Sequence, residues 1–152
     1  MLIYLLRHGV AEEKAASDSA RELTHEGAMQ TRSMADKFKT HSPIIEKAIM
    51  SPYQRARQTA AELRIDFPEL DFDVDKDIEP SGDVYAIMDK IESLDAKHVL
   101  LVSHNPFLSN LLAVMVDGTM ETNRHIGNST LVCVSIDFVA PGFGNILYTI
   151  EP

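Results

Sequence analysis

Residues 2–9 read LIYLLRHG, an apolar run that ends in an arginine, a histidine and a glycine. Residues 99–106 show the same arrangement as VLLVSHNP, and residues 48–52 are a third instance, AIMSP. Short apolar runs of this kind, each followed by a helical pattern, are typical of buried parallel strands. In parallel sheets, ligands bind beyond the carboxyl ends of the strands. We therefore expect the polar residues that follow the three runs to meet in one pocket.

The remaining periodicity predicts alternating strands and helices. Helices are expected for about 15 residues after a cap at Thr24, and over about 52–64, 81–94 and 106–116. Strands are expected over 2–6, 46–50, 72–75, 98–102, 130–136 and 145–150, and the last two form a hairpin around the turn at 141–144. Residues 7–23 are expected to form a polar loop. This alternation favours an α/β fold, a three-layer α/β/α sandwich with a mostly parallel central sheet.

Length and composition restrict the class of protein. A chain of 152 residues can bury a core of its own, so we expect a single domain over residues 1–152. The net charge of −9 argues against a nucleic-acid partner, which requires a basic face. No apolar run approaches the roughly 20 residues that span a bilayer, so no membrane association is expected. One cysteine, Cys133, within an apolar run and no visible signal peptide predict a cytoplasmic protein.

The residues after the three apolar runs suit phosphoryl chemistry. His8 can attack phosphorus through a neutral ring nitrogen, and nearby arginines disfavour a second positive charge on it. Arg55 lies one turn into the helix after Ser51, where its guanidinium can bond two phosphate oxygens. His104 can donate to a phosphoryl oxygen that gains charge in the transition state. Taken singly, either histidine is also compatible with a structural role at a strand end, and Asn105 with a helix cap.

Other catalytic and cofactor sites find no support in the sequence. The four remaining histidines are scattered, without the spacing of a metal-binding motif, so no metal is expected. No glycine-rich nucleotide loop and no serine-hydrolase elbow is present, and we expect no cofactor.

The motifs together carry a resemblance to a known family. The chain resembles the histidine phosphatase superfamily, also called phosphoglycerate-mutase-like, and within it the small SixA-type phosphohistidine phosphatases. The matching residues follow the family's order over about residues 1–110: 7–9, 15–19, Arg21, 23–24, Gly27, 51–52, 55–56, 58–59, Pro80, 82–83, 103–104 and Pro106.

This resemblance implies a phosphoglycerate-mutase-like fold and a hydrolase that removes phosphate from phosphohistidine on a protein. It implies that His8 is the nucleophile, that a covalent phosphohistidine intermediate forms on it, and that Arg7, Arg55 and His104 complete the phosphate pocket. Arg21 is then expected at the pocket mouth. The implied partner is a phosphorylated protein, for example a histidine phosphotransfer domain.

Three further expectations concern substrate contacts and the proton donor. Ser51 and Asn105 are expected to contact the substrate with Arg21, and Asn105 stands where SixA-type relatives have an apolar residue. Asp77 and Glu79 both qualify as the acid that many relatives carry, and their spacing does not decide between them. Phosphohistidine needs such an acid less than an alkyl phosphate does, because imidazole is the better leaving group. A phosphatase for small phosphomonoesters and a phosphate-binding module without turnover remain the alternatives.

Overall fold

The computed structural model describes residues 1–152. Six strands form one sheet: β1 (Leu2–Arg7), β2 (Lys47–Met50), β3 (Phe72–Val74), β4 (His98–Ser103), β5 (Leu131–Ile136) and β6 (Gly144–Ile150). Four α-helices accompany it: α1 (His25–Lys39), α2 (Gln54–Asp66), α3 (Val84–Ser93) and α4 (Phe107–Asp117). Two short 3-10 helices lie at Asp18–Ala20 and Lys76–Ile78. The predicted α/β class and the predicted order of strands and helices are confirmed.

The order of strands in the sheet is β3-β2-β4-β1-β5-β6. The first four strands in this order are parallel, whereas β5 and β6 are antiparallel to their neighbours. Arg7 at the end of β1 lies opposite Ser103 of β4, and Met50 of β2 lies opposite Val102. The chain therefore leaves β1, β4 and β2 at one edge of the sheet, with β4 between the other two.

The sheet separates two hydrophobic cores, because successive side chains of a strand point to opposite faces. Ile3 and Leu5 of β1 pack with residues of α3 and α4, while Tyr4 and Leu6 pack with residues of α1 and α2. All four side chains are buried. Two helices on each face produce the predicted three-layer sandwich, and the cores hold the strand ends in place.

Polar caps determine where two of the helices begin. The Thr24 hydroxyl accepts a hydrogen bond from the Gly27 amide, as predicted for the start of α1. The Asp83 carboxylate accepts from the amides of Tyr85 and Ala86 at the start of α3. Each cap satisfies backbone donors that have no partner within the helix.

Two local expectations were wrong. Helix α2 begins at Gln54 and not at Pro52, because Ser51 and Tyr53 form a turn in which the Ser51 hydroxyl accepts from the Tyr53 amide. The segment 7–23 is not wholly a loop, for it contains the 3-10 helix at Asp18–Ala20 and a bridge between Ala11 and Leu23.

Two predictions from composition can be compared with the structure. Cys133 is buried in β5, as expected for a small apolar residue within a strand. None of the helices combines the length and the apolar character that a membrane span requires.

Helix α1 packs against the segment that follows His8, and this contact leaves no room for a side chain at Gly27. An added Cβ would lie 2.2 Å from the Val10 carbonyl oxygen and 2.7 Å from the Val10 nitrogen. Both neighbours are backbone atoms, so the clash is relieved only by moving the chain. The close approach of α1 therefore depends on glycine at this position.

We predict that Gly27→Ala lowers the free energy of unfolding by about 1–3 kcal/mol, the usual cost of overpacking. The direction of this change in stability is informative, because alanine normally stabilises a helix relative to glycine by about 1 kcal/mol. Urea unfolding of the variant and the parent provides the measurement, with Ser33→Ala at an exposed position of the same helix as the control. An alanine variant as stable as the parent would show that the close packing is not required.

Candidate active site

The ends of β1, β4 and β2 and the start of α2 bring four predicted site residues together. The ring centroids of His8 and His104 are 4.9 Å apart. Arg55 Nε lies 3.1 Å from His8 Nε2, and His104 Nε2 lies 2.7 Å from the Ser51 hydroxyl oxygen. All four residues are buried. Residues separated by almost a hundred positions in the chain thus form one cluster.

Hydrogen bonds determine the tautomer of His8. Its Nδ1 is 2.7 Å from the Gly9 carbonyl oxygen, which can only accept, so Nδ1 carries the proton. Nε2 is then the unprotonated nitrogen, and the Arg55 Nε–H donates to its lone pair. A neutral imidazole in this state presents a nucleophilic nitrogen toward Arg55.

The surroundings of His8 keep its imidazole uncharged. Burial, the largest cause, and the charges of Arg55, Arg7 and Arg21 together lower the pKa of His8 from 6.5 to about 4, against the Gly9 hydrogen bond, which raises it. His8 is therefore neutral at neutral pH. The same arginines that favour an anion also preserve the lone pair that would attack phosphorus.

The tautomer of His104 follows from the hydroxyl of Ser51. The proton of this buried hydroxyl needs an acceptor, and its only neighbours within hydrogen-bond distance are the Tyr53 amide, which can only donate, and His104 Nε2 at 2.7 Å. Nε2 thus accepts, and the proton of the neutral ring is on Nδ1. Burial, followed by the charges of His8 and Arg55, lowers the pKa of His104 to about 2, so the ring is neutral.

Only three buried polar side-chain atoms in the chain lack a hydrogen-bond partner, and all three belong to predicted site residues. They are Arg7 Nε, His104 Nδ1 and Asn105 Oδ1. Unpaired buried donors are costly, and their concentration in one place is typical of a binding site. Arg7 Nε and the Nδ1–H of His104 are therefore donors that an incoming oxyanion can satisfy.

Arg7 and Asn105 are connected through one backbone carbonyl. Arg7 Nη1 donates to the Ile126 oxygen at 2.8 Å, and Asn105 Nδ2 donates to the same oxygen at 2.9 Å. Asn105 does not cap α4, whose first turn follows Pro106 without a side-chain cap. Its amide instead joins the 125–126 segment to the end of β4, which supports the guanidinium of Arg7.

A carboxylate that was not predicted as a site residue lies on Arg55. Asp18 accepts from Arg55 twice, through its backbone oxygen at 2.6 Å and through Oδ2 at 3.1 Å. Arg21, which was expected at the pocket mouth, donates to the other oxygen of this carboxylate at 3.0 Å and keeps 31% of its side chain exposed. The serine-aspartate-serine motif around Asp18 was the only sequence signal for it.

Asp77 and Glu79, the predicted proton donors, line a cleft of about 290 Å³ beside the start of α3. Asp77 is 3.9 Å from Lys90 Nζ, and 53% of its side chain is exposed. Neither carboxylate forms a hydrogen bond or ion pair with His8, Arg55 or His104. Their assignment as acids stays a prediction.

Two further contacts hold the backbone around His8, and the sequence offered only a weak signal for them. The Gly9 amide donates to the Thr59 hydroxyl of α2 at 3.1 Å, and the Asn128 side chain donates to the His8 carbonyl at 3.0 Å. Thr59 stands in a stretch that matches the family, but the spacing of neither Thr59 nor Asn128 indicated its partner. They fix the direction in which His8 leaves β1.

The low pKa values of the two histidines predict a specific pH dependence of stability. Below pH 6.5 an unfolded chain protonates both rings, while the folded chain leaves them neutral down to the lowered pKa. Folding therefore releases protons, and stability falls as the pH decreases from about 6.5 toward 4, by about 1 kcal/mol per pH unit for each histidine. We predict that His104→Gln removes one such contribution from the slope.

The measurement is the free energy of unfolding in urea at pH 4.5 to 7 for the parent and the variant, reported as a slope. His25→Gln, which removes an exposed histidine outside the site, is the control. Parallel profiles for the parent and His104→Gln would contradict a neutral, buried His104.

Comparison with known proteins agrees with this geometry. The sequence profile of the histidine phosphatase superfamily (branch 1) matches residues 3–79. The phosphohistidine phosphatase SixA of Escherichia coli strain K12 is 33% identical over 142 residues, which cover 90% of this chain and 86% of the relative. A SixA homolog of Haemophilus influenzae is 33% identical over 124 residues, 74% of this chain and 76% of that protein.

A solved structure resembles the whole chain. The protein histidine phosphatase SixA complexed with tungstate superposes with a TM-score of 0.90 at 32% identity, and the match covers 100% of this chain and 97% of that one. The resemblance inferred from the motifs is therefore confirmed at the level of both sequence and fold. With its neutral histidine pair at the ends of adjacent parallel strands, the chain belongs to the histidine phosphatase superfamily.

Proposed function

We propose that this protein is a phosphohistidine phosphatase that acts on a phosphorylated protein through a covalent intermediate on His8. The observation that carries the proposal is the unprotonated Nε2 of His8, which lies 3.1 Å from Arg55 Nε in a ring whose Nδ1 donates to the Gly9 carbonyl. Relatives at 33% identity bear the name phosphohistidine phosphatase, and similarity over 90% of the chain supports the same activity here.

In the first step, His8 Nε2 attacks the phosphorus atom. A bond forms between Nε2 and phosphorus, and the bond between phosphorus and the substrate imidazole breaks. Arg7 Nε, the Arg55 guanidinium and the Nδ1–H of His104 are the donors available for the phosphoryl oxygens. Arg7 is held by the Ile126 carbonyl and His104 by the Ser51 hydroxyl, so their unpartnered donors have fixed positions before the substrate arrives.

In the second step, water attacks the phosphoryl group on His8. The bond between phosphorus and Nε2 breaks, and both protons of the water remain on the released phosphate. His8 leaves as a neutral imidazole, because its Nδ1 keeps the proton that is hydrogen-bonded to the Gly9 carbonyl. No external acid is required to protonate this leaving group.

The same chemistry favours phosphohistidine over phosphate esters as the substrate. A substrate imidazole that is protonated on its other nitrogen also leaves neutral, whereas an alkoxide must receive a proton during the step. Asp77 and Glu79 form no hydrogen bond or ion pair with the three central residues, His8, Arg55 and His104, and Asp77 lies near Lys90. A site without an acid in contact suits the better leaving group.

Exposed side chains beside the site support a protein as the partner. Asp18, which contacts Arg55, and Arg21, which contacts Asp18, are 54% and 31% exposed on the segment between β1 and α1. We propose that the substrate is a phosphohistidine on the surface of a protein, such as a histidine phosphotransfer domain.

We predict that His8→Ala abolishes both turnover and self-labelling while the fold is retained. A protein phosphorylated on histidine with ³²P is mixed with the enzyme, the reaction is stopped in alkali, and label on the enzyme is measured. The parent is expected to carry label that is stable to alkali and lost in acid, and His8→Ala none. The control is His25→Ala, at an exposed histidine outside the site. Normal turnover by His8→Ala would refute the covalent mechanism.

We also predict how the two candidate acids affect different leaving groups. Asp77→Ala and Glu79→Ala are expected to change phosphohistidine hydrolysis by less than about threefold, since general acid catalysis is worth about 10²–10⁴-fold only where a leaving group needs a proton. The rates on a phosphohistidine protein and on an alkyl phosphate are compared for each variant. A loss of 10²-fold or more on phosphohistidine, with folding unchanged, would identify an essential acid and favour the phosphomonoester alternative.

A further inference from the structure

Every nitrogen of the Arg55 guanidinium has a partner within the chain. Nε donates to His8 Nε2, Nη1 donates to the Asp18 backbone oxygen at 2.6 Å, and Nη2 donates to Asp18 Oδ2 at 3.1 Å. The Arg55 side chain is only 5% exposed, and Asp18 contacts both of its terminal nitrogens. The two oxygens of Asp18 use the donor fork that binds two oxygens of a phosphate.

Asp18 is held on Arg55 as an anion. Burial raises the pKa of its carboxyl, but hydrogen bonds from Arg21 and Arg55 outweigh burial and hold that pKa below its usual range. Arg21 Nη1 contacts the second carboxylate oxygen at 3.0 Å. A carboxylate with two arginine partners therefore stands where Arg55 is expected to meet the phosphoryl group.

The segment that carries Asp18 is attached more weakly than the rest of the site. Its 3-10 helix, Asp18–Ala20, has no buried residue and no side-chain cap. Few buried contacts allow a segment to move at low cost in free energy. By contrast, Arg55 is buried and is held from α2, so an exchange of anions on Arg55 would move Asp18 and leave the guanidinium in place.

We propose that Asp18 is a specificity-determining residue, an internal anion that occupies Arg55 in the free enzyme and that the phosphoryl group must displace. This inference rests on the proposed transfer of phosphate to His8. A small phosphate ligand must displace Asp18 with its own contacts alone. A phosphoprotein also contacts the exposed segment around Arg21 and gains binding free energy there. This gain offsets part of the free energy needed to displace Asp18.

Two consequences follow for ligands of the pocket. Orthophosphate, which is the product, binds weakly because Asp18 competes for the same donors. Small phosphate esters are disfavoured relative to a phosphohistidine protein for the same reason. Displaced Asp18 keeps Arg21 as a partner, so the exchange does not leave an unpaired carboxylate.

The test compares Asp18→Asn with the parent and with Glu13→Gln. Asparagine retains the shape of the side chain and removes its charge, and Glu13→Gln removes one charge from the same segment at an exposed residue without a side-chain contact. The dissociation constant of orthophosphate is measured by calorimetry on the full chain. Asp18→Asn is expected to bind about 5- to 20-fold more tightly, since a charge-assisted competitor is lost, while Glu13→Gln matches the parent.

Selectivity provides a second measurement. The ratio of kcat/KM for p-nitrophenyl phosphate to kcat/KM for a phosphohistidine protein is expected to rise by about the same factor in Asp18→Asn. A crystal structure of the parent with orthophosphate is expected to show both Asp18–Arg55 contacts broken.

Orthophosphate binding by Asp18→Asn that is weaker than, or within twofold of, that of the parent would overturn the inference, as would a phosphate complex that retains both Asp18–Arg55 contacts. Such an outcome leaves the proposed function standing if His8 still becomes labelled, because phosphate binding is measured without turnover. Failure of His8 to be labelled would instead refute the proposed function.

Discussion

The burial of His8 and His104 beside two arginines is the constraint on which the rest of the site depends. Their rings are 4.9 Å apart, and burial together with the charges of Arg55 and Arg7 keeps both uncharged. A protonated His8 has no lone pair for phosphorus, so neutrality is a condition of nucleophilic attack. The positive charges of the arginines keep the histidine rings neutral, and the same charges attract a phosphate. An anion on Arg55 is needed to offset these charges.

The chemistry that follows is defined as much by leaving groups as by the nucleophile. His8 keeps a proton on Nδ1 through the Gly9 carbonyl and can therefore leave phosphorus as a neutral ring. A substrate imidazole has the same property, which an alcohol lacks. The only carboxylate in contact with the cluster, Asp18, is held ionised by arginines and so has no proton to donate. Phosphohistidine is the substrate class that these conditions favour.

Much of the fold and the centre of the site could be predicted from local sequence. The apolar runs that end at Leu6, Met50 and Val102 indicated parallel strands, and the side of a parallel sheet on which ligands bind follows from strand direction alone. His8, Arg55 and His104 were predicted because each follows a strand or begins a helix at that edge. The helix cap at Thr24 depends on neighbouring residues, so it too could be predicted.

Other features arise from contacts between segments far apart in the chain, and these contacts exist only in the folded protein. Sequence alone determined the strands, the helices and the three residue types at the pocket. In the sheet, β4 lies between β1 and β2, and this order places the Ser51 hydroxyl beside His104. The hydrogen bond between them determines the tautomer of His104. The contact between Asp18 and Arg55 joins positions 37 residues apart, and Asp18 lies in an exposed segment without hydrophobic periodicity. Such pairings depend on how the chain folds back on itself, which local patterns of hydrophobicity do not encode.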